Sequence, residues 1–199
     1  MTKQNRAAKT LPWVLLLMTV AFVAGAQAPP AKVRSPALRD ARFHSPMPGG
    51  GLGGWYGDTG IDISGNFLPV YAIAAGTLDY SERGHTRWTS GRDTPFSVRL
   101  ALDQPIEWGT HRVTHVYYTH LSALEVTQAE GATERRHVEA GERLGVSGIG
   151  NGTPHLHLGL LLDGQVEQDS WEFILREGDV RKVLGGYRNG EVLPGLPRG

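Results

Sequence analysis

The alternation of apolar and polar residues is most regular after residue 154, where a run of turn-forming residues at 148–154 ends. Every second residue from 156 to 162 is leucine, and the intervening positions begin with His155, His157 and Gly159. Because side chains of a strand point alternately to opposite faces, the pattern predicts a half-buried strand with one leucine face. The two imidazoles on the other face would lie about 7 Å apart along the strand. Such a pair suits a metal ligand and a proton-transfer group, and it is equally typical of exposed histidines at a sheet edge.

The rest of the chain predicts further short strands separated by turns. Strand patterns occur in 61–63, 68–78 (strand, turn, strand), 96–102, 113–121 and 138–148, whereas 81–95 and 125–137 are polar and predict loops. Along 113–121, alternation places Val116, Tyr118 and His120 on one face.

Near the end of the chain, Ser170 is a candidate N-cap for a short helix over residues 171–176. Together these elements predict a mostly β fold, a compact antiparallel sheet or sandwich with a short C-terminal helix.

The first 26 residues have the features of a secretory signal peptide. Three basic residues precede a mostly apolar run of 14 residues at 11–24, which is shorter than the roughly 17–25 residues of a membrane-spanning helix. Ala24-Gly25-Ala26 fits a small-residue cleavage site, so we expect cleavage after Ala26. Cleavage after Ala28 and an uncleaved N-terminal anchor are the alternatives.

Residues 27–48 are rich in proline, alanine and arginine and have no periodicity, which predicts a linker. We expect residues 49–199 to form the folded domain, with a C-terminal extension from about residue 165.

Charge and composition exclude several classes of function. Residues 1–26 hold three of the 20 basic residues and none of the 20 acidic ones, so the mature chain would carry 17 basic against 20 acidic residues, a formal net charge of −3. This balance provides no electrostatic surface for nucleic acid. The absence of cysteine excludes disulfides, thiolate zinc sites and a cysteine nucleophile. The 27 glycines and 12 prolines favour many short strands over long helices.

Three segments occur in the order and spacing of one enzyme family. They are Pro69–Ala72 continuing to Gly76-Thr77, Tyr118–Ser122, and Ala140-Gly141 continuing through Gly148 and Gly150 to Pro154-His155-Leu156-His157. Together they resemble the lysostaphin/LytM-type zinc endopeptidases, family 23 of the metallopeptidases, over about residues 55–165. The resemblance implies the duplicated hybrid motif fold, an antiparallel sheet with a groove, and cleavage of peptide stems or cross-links of bacterial peptidoglycan.

The resemblance also implies roles for individual residues. Two of the family's zinc ligands match Asp62 and His157, and its paired catalytic histidines match His120 and His155. The first zinc ligand does not match, because Asp58 stands four residues before Asp62, where the family has histidine. The implied metal site is therefore Asp58, Asp62 and His157.

The change to Asp58 alters the expected chemistry of the site. A carboxylate oxygen binds zinc at about 2.0–2.2 Å, so Asp58 is a legitimate ligand. An Asp-Asp-His set carries one more negative charge than Asp-His-His, which should weaken the Lewis acidity of Zn²⁺ and raise the pKa of bound water. Oxygen-rich ligation also moves preference toward harder ions such as Mn²⁺. The alternative for both aspartates is turn chemistry beside Gly60.

The expected function is an exported, metal-dependent endopeptidase of the periplasm or extracellular cell envelope that acts on peptidoglycan peptides. Two alternatives remain open. One is a catalytically degenerate domain without metal, which binds peptidoglycan or an envelope protein partner and regulates cell-wall enzymes. The other is a structural envelope protein in which the histidines are residual. We expect no nucleic-acid partner and no membrane span after the signal peptide is removed.

Overall fold

A computed structural model describes residues 43–53, 58–86, 90–166, 173–184, 187–188 and 191–192. The predicted signal peptide lies outside these residues. The elements are β1 (Gly51–Gly53), β2 (Ile61–Ser64), β3 (Pro69–Tyr71), β4 (Gly76–Arg83), β5 (Phe96–Trp108), β6 (His111–Leu124), β7 (His137–Val138), β8 (Arg143–Gly150), β9 (Thr153–Leu162), α1 (Glu177–Val183), β10 (Tyr187–Arg188) and β11 (Glu191–Val192). The prediction of a mostly β chain with antiparallel strands and one short helix is confirmed for the described residues.

The first nine strands form one open antiparallel sheet rather than two stacked sheets. Its order is β1-β2-β9-β8-β6-β5-β4-β7, with β3 paired to β8 and with a further pairing between β9 and β6. Strand β9, which carries the His-x-His sequence, therefore contacts β2 on one side and both β8 and β6 on the other. The position of β9 inside the sheet brings segments from distant parts of the sequence beside the two histidines.

The leucine face of β9 lies in the hydrophobic core, as the alternation predicts. Leu156, Leu158 and Leu160 are fully buried, and Leu162 is 4% exposed. They belong to one apolar cluster with residues of β2, β4, β5 and β6. Since a one-residue slip would turn all four leucines outward, this burial fixes the register of β9 and the face on which its histidines lie.

A tight hairpin turn at Asn151-Gly152 joins β8 to β9. Both turn residues have positive φ, 49° and 78°, as a two-residue hairpin turn of the type favoured by Asn-Gly requires. The turn sets Gly148 opposite His155.

The predicted linker extends too far toward the C-terminus. Phe43 and Met47 are 3% and 0% exposed and belong to the hydrophobic core, so residues 43–48 are part of the folded domain. Two isolated apolar residues among prolines have no periodicity by which a strand or helix is recognised. Residues 27–42 lie outside the described part of the chain, and there the linker stays a prediction.

The C-terminal helix is present, but its predicted bounds are wrong. The helix spans Glu177–Val183 rather than residues 171–176, and Arg176 is its N-cap residue; the expected cap, Ser170, lies outside the described residues. Residues 173–176 instead run beside β9, with a bridge between Ile174 and Leu161. Val180 and Val183 are buried in the core. Within the described part of the chain, no helix is long and apolar enough to cross a membrane.

Candidate functional site

Asp62 and His157 are direct neighbours across the β2–β9 pair. The register sets Asp62 opposite His157, and paired residues of adjacent strands project from the same face of the sheet. The His157 Nδ1 donates a hydrogen bond to Asp62 Oδ1 at 2.7 Å. Two residues that are 95 positions apart in the sequence are thus brought together by strand pairing.

Asp58 completes a group of three metal-ligand side chains. One ligand atom from each of Asp58, Asp62 and His157 can be chosen such that all three lie within 4.8 Å of one another. Its carboxylate also accepts a hydrogen bond from the Thr59 N–H at 2.7 Å, so the turn chemistry considered as an alternative is present as well. Asp58 thus stabilises the turn through one carboxylate oxygen and still lies close enough to Asp62 and His157 to share a metal ion with them.

The segment carrying Asp58 is held by the C-terminal part of the chain. The Gly60 N–H donates to the Leu175 carbonyl at 2.7 Å, and the Glu177 N–H donates to the Asp58 carbonyl at 3.1 Å. Gly60 has φ +79°, and a Cβ there would lie 2.5 Å from the Leu158 carbonyl oxygen. Only glycine fits this close approach without strain. The predicted C-terminal extension therefore contributes to the position of Asp58.

His155 lies beside this group with its ring orientation fixed by the backbone. Its Nδ1 is 2.9 Å from the Thr153 carbonyl, an acceptor that requires the proton on Nδ1. The other ring nitrogen, Nε2, lies 3.7 Å from Asp62 Oδ1. In the neutral tautomer with the proton on Nδ1, Nε2 is the nitrogen that can accept a proton, and it lies on the side of Asp62.

His120 lies beside His155 and His157, on a face of β6 that strict alternation does not predict. The pattern places it with Val116 and Tyr118, both of which are fully buried in the core. Instead, its ring centroid lies 4.8 Å from that of His155 and 6.4 Å from that of His157. The interpretation of its face from strict alternation is wrong, because the backbone at His120 has φ 61° and breaks the regular strand.

The three histidines and Asp62 form a coupled electrostatic group. Burial, together with the imidazoles of His155 and His157, lowers the pKa of His120 to about 4, so its ring is neutral at neutral pH. Burial alone would raise the pKa of Asp62, but the hydrogen bond from His157 and the nearby imidazoles outweigh it and hold that pKa below its usual value. Asp62 is therefore an ionised carboxylate, as a metal ligand must be.

A cluster of hydroxyl groups lies beside His157 and is not indicated by the sequence pattern; Ser97 and Thr119 are buried and Thr86 is half-buried. Thr119 is paired with His157 in the β6–β9 register. Its hydroxyl contacts that of Thr86 and lies 3.0 Å from that of Ser97. Thr86 reaches the cluster from the segment after β4, where polar residues have no periodicity that would indicate burial.

The donor set suits a small divalent cation. Two carboxylates and one imidazole are ligand types that Zn²⁺ and Mn²⁺ accept, and their spacing permits all three to contact one ion. His120 and His155 lie beside this group, where an imidazole can accept a proton or donate a hydrogen bond. The arrangement is chemically competent for metal-assisted hydrolysis.

Comparison with known proteins agrees with this architecture. No protein-family model and no curated protein matches the sequence. Among solved structures, a solution structure of lysostaphin is similar with 23% identity and a TM-score of 0.50, over 80% of this chain and 62% of lysostaphin. A structure of lysostaphin from Staphylococcus simulans is similar with 22% identity and a TM-score of 0.45, over 68% of this chain and 52% of that protein.

The catalytic domain of the same S. simulans enzyme has 27% identity and a TM-score of 0.42, over 70% of this chain and 88% of the domain. This chain spans less than two thirds of the length of the solution-structure lysostaphin that it matches. The similarity to that structure concerns the fold alone: the chain has a lysostaphin-like fold.

Proposed function

We propose that the protein is an exported, metal-dependent endopeptidase that cleaves peptide stems or cross-links of bacterial peptidoglycan. The observation that carries the proposal is the convergence of Asp58, Asp62 and His157, whose ligand atoms lie within 4.8 Å of one another, beside two further histidines. The substrate class is supported by the lysostaphin-like fold and by the resemblance of the sequence motifs to that family. Export is supported by the signal-peptide pattern of residues 1–26.

Asp58, Asp62 and His157 would hold the cation. Once bound, a divalent cation supplies Lewis acidity for the scissile carbonyl and acidifies a water molecule. We propose that the ion is Zn²⁺ and that Mn²⁺ is an effective substitute. Mn²⁺ is included because a ligand set with two carboxylates favours a harder ion more than the usual Asp-His-His set does. The one additional negative charge also makes the ion a weaker acid.

His155 and His120 have different proposed roles. His155 has its Nδ1 engaged with the Thr153 carbonyl and its Nε2 on the side of Asp62; in its neutral form it is suited to accept a proton at Nε2 from the attacking water. His120 is buried and neutral, so it is suited to donate a hydrogen bond to the oxygen on which negative charge develops. A neutral imidazole carries one N–H, so His120 can donate this hydrogen bond without being protonated first.

The proposal is tested by digestion of purified peptidoglycan. The mature protein should release soluble fragments with new peptide N-termini, should lose this activity after treatment with a chelator, and should regain it with Zn²⁺ or Mn²⁺. His155→Ala should be inactive, whereas His137→Ala, which removes an exposed histidine paired with Asp103, should digest as the wild type does.

A protein that binds peptidoglycan but releases no fragments with either cation would support the catalytically degenerate alternative and reject an endopeptidase.

A further inference from the structure

His120 lies where β6 exchanges one neighbouring strand for another. Thr119 pairs with His157 of β9, and Leu121 pairs with Ser147 of β8, whereas His120 itself is in none of the register pairs of β6. On the opposite edge, the pairing with β5 also shifts between Tyr118 and Leu121. The strand therefore has an irregularity of the β-bulge kind at His120, and such features re-aim side chains beside active sites.

The backbone carbonyl at this irregularity is satisfied by a side chain from another loop. The Thr94 hydroxyl donates a hydrogen bond to the His120 carbonyl oxygen at 2.8 Å. A backbone carbonyl that leaves the strand ladder must find another donor if it is to remain buried. Thr94 is that donor for His120.

Thr94 is itself fixed by strand β8. Its N–H donates to the Ile149 carbonyl at 2.9 Å, and the Ile149 N–H donates back to the Thr94 Oγ1 at 2.9 Å. The hydroxyl proton is thereby free to point to the His120 carbonyl, with the Ile149 carbonyl more distant at 3.3 Å. Three hydrogen bonds thus position one hydroxyl group against the backbone of one histidine.

Two glycines of β8 leave the space that this arrangement needs. A Cβ at Gly148 would lie 2.1 Å from the Thr94 Oγ1, and a Cβ at Gly150 would lie 2.3 Å from the His120 ring. Neither glycine has a positive φ, so their backbone conformation does not require glycine. The reason for glycine at both positions is the room taken by Thr94 and by the imidazole.

We infer that Thr94 is a positioning residue for His120: its hydroxyl holds the irregular backbone of β6 and so directs the imidazole to the site rather than to the core. Strict alternation would place that side chain on the same face of β6 as Tyr118, which is buried in the core. The consequence for catalysis rests on the proposed function, whereas the consequence for the conformation of His120 does not.

The test compares Thr94→Val, which has the same shape without the hydroxyl, with Thr94→Ser, which keeps the hydroxyl. For Thr94→Val we expect kcat on peptidoglycan fragments to fall about 10- to 100-fold, a range typical of displaced catalytic groups and lost outer hydrogen bonds. KM and metal content should stay unchanged, because the Thr94 hydroxyl bonds to the backbone of His120 and Ile149 and so acts on the chemical step through His120 rather than on the proposed metal ligands. Thr94→Ser should retain most of the wild-type kcat. The inference would be overturned if Thr94→Val had the wild-type kcat, or if Thr94→Val and Thr94→Ser lost kcat to the same extent.

A second readout separates this inference from the proposed function. The Cα and amide resonances of His120, assigned by NMR, report its backbone conformation even in an inactive protein. They should move in Thr94→Val and keep their wild-type positions in Thr94→Ser; unchanged resonances in Thr94→Val would overturn the inference whether or not the wild type hydrolyses peptidoglycan. If Thr94→Val does not fold, Thr94→Ala removes the same hydroxyl without the branched side chain and is judged by the same resonances.

Discussion

Replacement of Gly60 by alanine tests how the Asp58 segment is held against β9. Gly60 has φ +79°, and its Cβ would lie 2.5 Å from the Leu158 carbonyl oxygen and 2.9 Å from the His157 Nε2. Ordinary contact begins at 3.4 Å, so the two backbones would have to separate by about 0.9 Å. Asp58 and Asp62 both lie two residues from Gly60, so that movement would carry the Asp58 segment, and with it the Asp58 carboxylate, away from His157.

The expected loss of unfolding free energy in Gly60→Ala has two contributions, backbone strain and overpacking, which a matched control variant separates. A left-handed backbone costs a non-glycine residue about 1–2 kcal/mol, and forced overpacking costs about 1–3 kcal/mol more. Gly164 has φ +75° but nothing within 4 Å of its Cβ position. Gly164→Ala should therefore show only the cost of the left-handed backbone. Gly60→Ala should lose about 2–5 kcal/mol of unfolding free energy in urea titrations, and its metal affinity, measured by competition with a chelator, should fall about 10- to 100-fold.

Gly164→Ala should keep the wild-type metal affinity. An equal loss of stability in the two variants, or an unchanged metal affinity in Gly60→Ala, would refute the reasoning that close packing at Gly60 positions Asp58.

Three further predictions concern individual residues. His157→Ala should lower bound metal in elemental analysis, because a ligand controls occupancy. His120→Ala should keep the metal and lose hydrolysis, because His120 is proposed to donate a hydrogen bond to the developing negative charge in the chemical step; equal metal loss in both would contradict these roles. Asp58→His should raise the affinity for Zn²⁺ relative to Mn²⁺ in paired titrations, since imidazole suits the softer ion, and an unchanged ratio would argue that Asp58 is not a ligand. Leu158→Ala, which truncates a fully buried side chain, should cost about 2–5 kcal/mol in urea unfolding, and a loss well below this range would contradict the assignment of the leucine face to the core.

The sequence pattern predicts the central strand well because one physical constraint dominates there. Four leucines at every second position must all be buried together, which fixes the strand, its register and the face of its histidines. The proximity of Asp62 to His157 does not follow from periodicity, since it depends on which strands pair. That pairing was expected only because the sequence resembles a family whose members share it.

His120 shows where periodicity stops being informative. Alternation assumes a regular strand, and the irregularity at His120 depends on a hydroxyl from Thr94 and on the room left by Gly148 and Gly150. These contacts are between residues distant in sequence, and no local pattern encodes them.

The helix bounds were missed for a related reason. Residues 173–175 carry apolar side chains that are compatible with a helical turn, but their backbone bonds to β9 and to Gly60 instead. Tertiary hydrogen bonding overrides local propensity there.

Anomalous diffraction from crystals grown with Zn²⁺ shows whether Asp58, Asp62 and His157 bind a metal ion, because it locates the ion without relying on activity. We expect one strong zinc peak per molecule in contact with Asp58, Asp62 and His157, and the loss of that peak in crystals of Asp62→Ala. No peak at these residues in zinc-saturated crystals, or a peak that persists in Asp62→Ala, would contradict the claim that this group of side chains is a metal site.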